Sequence, residues 1–354
     1  MGLLSIAKTL FRKNQKEKRD AATDSYFNQK AGEAYSGVIA QNPEKKLSQS
    51  QEKQVKEYAL DVFGAESCIP WLKVYTAFRG EFLEGWMPVN FWGRVVCPSL
   101  NGDLQLIGRI KTLTRKFLRS DALPDLIYYV NGNWISVAGE SLEKKSAEDF
   151  AFANSAVVFL KKDHTGQGHG LMKLNREEFQ KLDFSKTGDF VLQAPITQHA
   201  FFETLSPGSV ASLRITTYKA PGKMANTHQS SIRVGRLGTS FIVGDDCVRL
   251  PIWENEGRIY DFGFSGTWEL MDCHPDTGVR FSGLKIPNFD SIKQFCETLH
   301  DQNPHFPLIA WDVILNQDNQ IQIMEWNTVT PTIGISEAAT GPHFKGLGFE
   351  KLRK

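Results

Sequence analysis

Three observations predict an α+β chain. Strand patterns flank tight-turn residues twice, at Asn131-Gly132 and at Asp318-Asn319. Apolar residues at helical spacing mark separate segments, among them 55–62 and 290–299. After Pro195 the pattern is mostly strands, so helices and strands come in blocks rather than in strict alternation.

The chain has 354 residues, 41% of them hydrophobic, which allows two or three packed lobes. A formal charge of +1 and the lack of a basic-aromatic signature argue against nucleic acid as a partner. Five scattered cysteines without a CxxC pair suggest neither disulfides nor structural zinc and fit a reducing cytosol. No apolar run reaches the roughly 18 residues of a membrane span, and no compact signal segment opens the chain. The expected location is the cytoplasm.

Residues 1–20 set Leu3, Leu4, Ala7, Leu10 and Phe11 at helical spacing ahead of Arg12, Lys13, Lys16, Lys18 and Arg19. A packed or frayed terminal helix is the ordinary reading. Peripheral contact with the inner face of a membrane is the other. Residues 20–50 are polar and read as a linker or loosely packed arm. Ser48 with Gln51 forms a capping box for a helix that Gly64 can end. The aromatic stretch Trp71 to Leu100 reads as the core of a small lobe, with a substrate-facing aromatic wall as the alternative.

Leu106 to Ile110 predicts a short strand leading into a helix at Lys111. The Asn131-Gly132 hairpin follows, then an apolar strand, Ala156 to Leu160, that runs into Lys161-Lys162-Asp163-His164-Thr165-Gly166-Gln167-Gly168-His169-Gly170. That glycine-rich loop, bearing Gly166, Gly168 and Gly170, lets backbone amides approach phosphate oxygens, and two lysines begin it. It is neither a Walker A nor a dinucleotide fingerprint, and flexible hairpin loops look similar. A helix at Asn175 to Leu182 and a strand at Asp189 to Gln193 come next, then strands bearing Arg214 and Arg233, then strands over Arg258–Phe264 and Trp268–Met271. The helix Asp290 to Leu299 puts Cys296 in the core.

The last strong feature is LIAWDVILNQDNQIQIMEWN, Leu308 to Asn327. With Asp318-Asn319 as the turn, Gln317 faces Gln320, Asp312 faces Glu325, and Asn327 shares their face. Opposed carboxylates repel, by roughly 4 kcal/mol at about 4 Å and an effective dielectric near 20. A hard divalent cation such as Mg²⁺ would reverse the sign, since carboxylates and an amide oxygen are its preferred ligands. A solvated surface hairpin is the alternative.

In this order of parts the chain resembles the ATP-grasp superfamily, and within it the branch associated with sugar transfer. The resemblance rests on Asp312 followed thirteen residues later by Glu325-Trp326-Asn327, on Lys111 opening a helix, and on Lys161 or its neighbour Lys162 before the glycine loop. Glu84 to Trp92, Leu123 to Trp134 and Ser212 to Thr216 point to the sugar-transfer branch. Three positions depart from the pattern: Gln193 stands where many relatives have Glu, Asp245-Asp246 lacks a glycine pair, and Ala310 replaces an arginine.

The resemblance implies an arm over 1–45, a lobe over 46–110 and two α+β subdomains over 111–205 and 206–345 that grip ATP. It implies Asp312, Glu325 and Asn327 as Mg²⁺ ligands, and nucleotide contacts at Lys111, Lys161 or Lys162, the glycine loop, Gln193 and Ile196. Arg214 or Arg233 takes the charge-stabilising part of the missing arginine. The activity implied is ATP- and Mg²⁺-dependent ligation of a carboxylate to an amine through an acyl phosphate, with a sugar-linked acid of surface polysaccharide synthesis among the substrates. A kinase on the same scaffold and a nucleotide-binding module without chemistry are the other readings.

Overall fold

In the computed structural model, residues 3–166, 168–242 and 244–353 are described, with side chains described at Lys18 and from Asp20 onward. The apolar positions Leu3 to Phe11 and the loop residue Gln167 therefore lie outside the described side chains. The chain divides into two units. One comprises Met1–Leu100, Thr267–Glu269 and Thr332–Lys354, the other Asn101–Gly266 and Leu270–Pro331. Residues 332–345, grouped by the sequence with the last subdomain, belong to the first unit.

The first unit is largely helical. A single helix runs Leu3–Gln41 where the polar composition of residues 20–41 predicts a loose arm. The reason is a stripe of small residues: Ala31, Ala34 and Val38 are buried, a seam too narrow to register as apolar periodicity. Ser48 and Gln51 form the expected capping box on Gln49–Tyr58, and Gly64 ends the helical run at φ 67°, a left-handed conformation that favours glycine. Trp71, Tyr75, Phe78, Trp86, Phe91 and Trp92 are all buried, so the aromatic stretch is core and not a substrate wall. Among the described residues no helix is long and apolar enough to cross a membrane.

The second unit carries two antiparallel sheets. The six-stranded sheet uses β1 Asp125–Val130, β2 Asn133–Ser136, β3 Ser141–Leu142, β4 Val157–Lys162, β5 Leu171–Asn175 and β6 Phe190–Gln193, in the order β3-β2-β1-β6-β4-β5. Alternation divides its faces: Ile127, Val158, Leu160, Phe190 and Leu192 pack with Trp134 and Phe179 in one core. The seven-stranded sheet uses β7 Ser212–Tyr218, β8 Asn226–Gly235, β9 Cys247–Pro251, β10 Gly263–Phe264, β11 Leu270–Met271, β12 Leu308–Leu315 and β13 Ile321–Asn327, in the order β11-β10-β9-β8-β7-β12-β13. Leu213, Ile215, Ile232, Val234, Val248 and Leu250 bury one face, together with Ile292 and Cys296 of the helix Phe289–Asp301.

Two segments differ from expectation. Residues Gly102–Arg109 form a 3-10 helix instead of a strand, leaving Leu104 and Leu106 exposed. Within 258–271 only Gly263–Phe264 and Leu270–Met271 are strand, while Arg258 and Ile259 make isolated bridges to Lys285 and Ile252.

Candidate active site

The face of the six-stranded sheet away from that core carries polar groups. Asp125 and Gln193 are register partners, and Tyr128, Val191 and Lys161 continue the same face. Gln193 Nε2 donates to Asp125 Oδ1 at 2.7 Å and the Tyr128 hydroxyl donates to Oδ2 at 2.8 Å, with all three residues buried. Burial raises the Asp125 carboxyl above its ordinary value despite these bonds. Lys162, one residue on, points to the other face and makes no side-chain hydrogen bond or ion pair among the described residues.

The glycine loop joins β4 to β5 and is tied to the helix Lys111–Leu118. Asp163, buried at the loop's start, accepts from Thr112 N at 3.0 Å and from the Thr112 hydroxyl at 2.6 Å, satisfying a donor of the helix's first turn. Lys111 Nζ donates to the Thr165 carbonyl at 2.7 Å. Gly168 and Gly170 adopt φ of 80° and 76°, and a Cβ on Gly170 would meet Thr165 at 2.8 Å. His169 N and Leu171 N bond within the loop, to Gly166 O and Gly168 O.

On the seven-stranded sheet, β12 and β13 pair Asp312 with Glu325 and Ala310 with Asn327, as the sequence predicts. The turn is longer by one residue than expected. Asn316 N bonds Gln320 O, and Gln317, Asp318 and Asn319 bridge the strands with Asn319 at φ 61°. Left alone, that extra residue would shift every pair. A bulge compensates: Val313 pairs with Ile323 but Asp312 with Glu325, so Met324 is the extra residue on its strand. Its freed carbonyl accepts from Lys161 Nζ at 3.0 Å.

Both lysines thus converge on β13, since Lys111 Nζ also lies 3.8 Å from Glu325 Oε1. Burial pushes the Lys161 ammonium below its ordinary value against the pull of Glu325 and Asp125. Asp312 is gripped from the other side. Arg214, its register partner on β7, donates from Nε to Oδ1 at 2.6 Å and from Nη2 to Oδ2 at 2.7 Å. Arg233 Nη2 stands 3.5 Å from Oδ2, and Asn327 Nδ2 donates to the same oxygen at 3.0 Å. Burial alone would raise the Asp312 carboxyl, but Arg214 and Arg233 outweigh it and hold the group below the usual carboxylate range. Asp312 is therefore ionised.

This donor set suits a hard cation. A carboxylate offers about four lone-pair sites. Arg214 takes two of those on Asp312 and Asn327 a third, which leaves one. The Asn327 amide nitrogen faces Asp312, so its oxygen is the end left to coordinate, and the Glu325 carboxylate is 29% exposed. Two carboxylates and an amide oxygen fit Mg²⁺.

Residues 175–350 match the model of a family described as sugar-transfer associated ATP-grasp. That stretch belongs to the ATP-grasp family. Solved structures with some likeness include N5-carboxyaminoimidazole synthetase from Staphylococcus aureus, at 10% identity and TM-score 0.37 over 63% of this chain and 44% of that one. Biotin carboxylase from Campylobacter jejuni gives 8% and 0.41 over 70% and 46%, and the ATP-grasp ligase PsnB 12% and 0.40 over 72% and 62%. The chain spans less than two thirds of the length of each. Comparison with curated proteins gives no match. Asp312, Glu325, Asn327, Arg214 and Arg233 all fall inside the ATP-grasp stretch, while Lys111 and Lys161 precede it.

Of the residues singled out in the sequence, Lys111, Lys161, Arg214, Arg233, Asp312, Glu325 and Asn327 come together. Gln193 lies on the same face as Lys161, and Ile196 packs against the core of the other sheet. Lys162 stands apart. Sequence reasoning missed Asp125, Tyr128, Asp163 and the Met324 carbonyl. Asp163 carried a readable signal, an acid two residues past Lys161 opposite a helix start; a backbone carbonyl carries none.

Proposed function

We propose that the chain is an ATP- and Mg²⁺-dependent ligase that joins a small-molecule carboxylate to an amine. One observation carries the reading: two lysines, two arginines, two acids and an asparagine from both sheets meet where β12 and β13 pair Asp312 with Glu325. Cations that face acids beside a polar sheet face suit a phosphate chain with its metal. In this proposal the parts 111–205 and 206–331 hold the nucleotide between their sheets. Lys161 and Lys111 take its phosphates, Gln193 and Ile196 line the base, and the loop Gly166–Gly170 covers the chain.

Asp312, Glu325 and Asn327 would hold Mg²⁺, which supplies neutralisation of the β- and γ-phosphate charge. Arg214 keeps Asp312 ionised and in place. The substrate carboxylate oxygen attacks the γ-phosphorus and the bond to ADP breaks, giving an acyl phosphate. An amine nitrogen then attacks the acyl carbon, phosphate leaves with its electron pair, and the ammonium proton passes to solvent. Lys161, its ammonium stripped of water, spreads charge that develops on the transferring group. Acids on sugars of surface polysaccharide precursors are the first substrates to try, because the family description names sugar transfer.

The experiment is ADP release from ATP and Mg²⁺ with panels of uronic or amino acids as carboxylates and amino acids as amines. The reading expects turnover that needs both partners. Turnover that needs only the first, with a stable phosphorylated product, would contradict it.

A further inference from the structure

Arg214 and Arg233 have a third companion. Arg249 on β9 is the direct register partner of Arg233 on β8, and Arg233 is in turn the partner of Ser212 on β7. The intervening Leu213, Ile232, Val248 and Leu250 point to the core, so Arg214, Arg233 and Arg249 share the opposite face on three consecutive strands. Like charges opposed across strands are destabilising. Among the described residues, the carboxylates that touch them are two. Asp312 is occupied by the Arg214 fork, and Asp245, itself 57% exposed, accepts from Arg249 Nη2 at 2.5 Å.

Arg233 is the group left wanting. Its side chain is 24% exposed, its one ion-pair contact is the 3.5 Å approach to Asp312, and it makes no hydrogen bond among the described residues. A guanidinium carries five N–H donors in a fork that matches a carboxylate or phosphate. Its register partner Ser212 carries a buried hydroxyl that faces the same Asp312 carboxylate without reaching hydrogen-bond geometry. Ser212 lies on the face of β7 that carries Arg214. A guanidinium with spare N–H donors next to a buried hydroxyl describes a seat for an anion.

We propose that Arg233, Arg249 and Ser212 bind an anionic group of the acidic substrate, distinct from the nucleotide phosphates. This rests on reading the lysine side of the site as the nucleotide's. Sheet order sets Arg249 apart: β9 is four strands from β13, where Lys111 and Lys161 gather. At roughly 4.8 Å per strand that is about 19 Å, too far for one phosphate to span, while Arg233 lies between them and reaches Asp312. A carboxylate and a phosphate ester share the recognising chemistry, so two probes separate them. Asp245 then has a part: it orients Arg249 from outside.

Titration calorimetry on the full chain, with and without saturating Mg·ADP, tests this with glutarate and, separately, inorganic phosphate as probes. Saturable binding of a probe is expected, glutarate marking a carboxylate seat and phosphate an ester seat. Arg249→Gln should weaken it by about tenfold while changing Mg·ADP affinity by less than about threefold. Arg249→Lys, which keeps the charge and loses the fork, should lie between the two. The inference is overturned if neither probe binds the wild-type chain, or if Arg249→Gln leaves probe binding unchanged. It is equally overturned if Arg249→Gln weakens Mg·ADP in parallel, which would assign Arg249 to the nucleotide. Failure of the wild-type chain to bind Mg·ADP at all would instead remove the nucleotide reading, and the probe titrations without ADP would still decide the seat.

Discussion

Asp312→Asn and Glu325→Gln remove one charge each from opposed positions of one hairpin, yet their effects on stability should differ severalfold. Asp312 is buried and its carboxylate is the counter-ion of Arg214 and Arg233. Breaking a buried, hydrogen-bonded pair by removing one partner costs roughly 3–5 kcal/mol, because the remaining charge stays buried. Repulsion between the Arg214 and Arg233 guanidinium groups, no longer neutralised by Asp312, acts in the same direction. Glu325 is 29% exposed and its cation is 3.8 Å away, so its loss should cost no more than about 1 kcal/mol. Urea unfolding followed by near-ultraviolet circular dichroism measures both. The pH dependence gives a second handle. The Asp312 carboxyl is depressed in the folded chain, so its contribution is present above the unfolded value near about 3.9 and is lost as pH falls through the folded value. Asp312→Asn should flatten the acid limb below about pH 4. Equal stability losses in the two variants would refute the reasoning that Asp312 is the arginine anchor.

Three further outcomes follow from the same geometry. Lys161→Gln should weaken Mg·ADP binding by about tenfold or more, whereas Lys162→Gln, on the other face of β4, should change it by less than about threefold, as read by calorimetry. Asp163→Ala removes the acceptor for Thr112 and should cost about 1–2 kcal/mol, with faster amide hydrogen exchange at Thr112 and in the glycine loop. His300 is buried between Thr217 and the Phe306 carbonyl, and burial lowers it to about 4. A depressed histidine adds stability that is full above its unfolded value near about 6.5 and is lost as pH falls towards the folded one, so His300→Gln should lose that slope in thermal melts between those values.

The hairpin shows how far the sequence could be read. The pairing of Asp312 with Glu325 was legible because β-branched and aromatic residues flank a polar turn and the strand period is two. Both details that produce it were hidden. The turn spends three residues, with Asn319 left-handed, and the Met324 bulge restores the register; each alone would have turned Glu325 away from Asp312. Local composition specifies neither, since a bulge is chosen by what the neighbouring elements need, here a carbonyl for Lys161. The 20–41 segment failed for a related reason: alanines 31 and 34 bury a helix face without raising its apolar content. The capping boxes at Ser48 and Asn175 were legible because they are strictly local. Arg249 was not, because its place beside Arg233 is set by the β8–β9 register.

The central claim is that the Asp312–Glu325 hairpin holds a metal-bound nucleotide. Titration of the wild-type chain and of Glu325→Gln with ADP, each with and without Mg²⁺, tests it most directly. Saturable binding that requires Mg²⁺ in the wild type and loses that requirement together with about tenfold in affinity in the variant is the predicted result. Binding that ignores Mg²⁺ and is untouched by Glu325→Gln, or no binding at all, would contradict it.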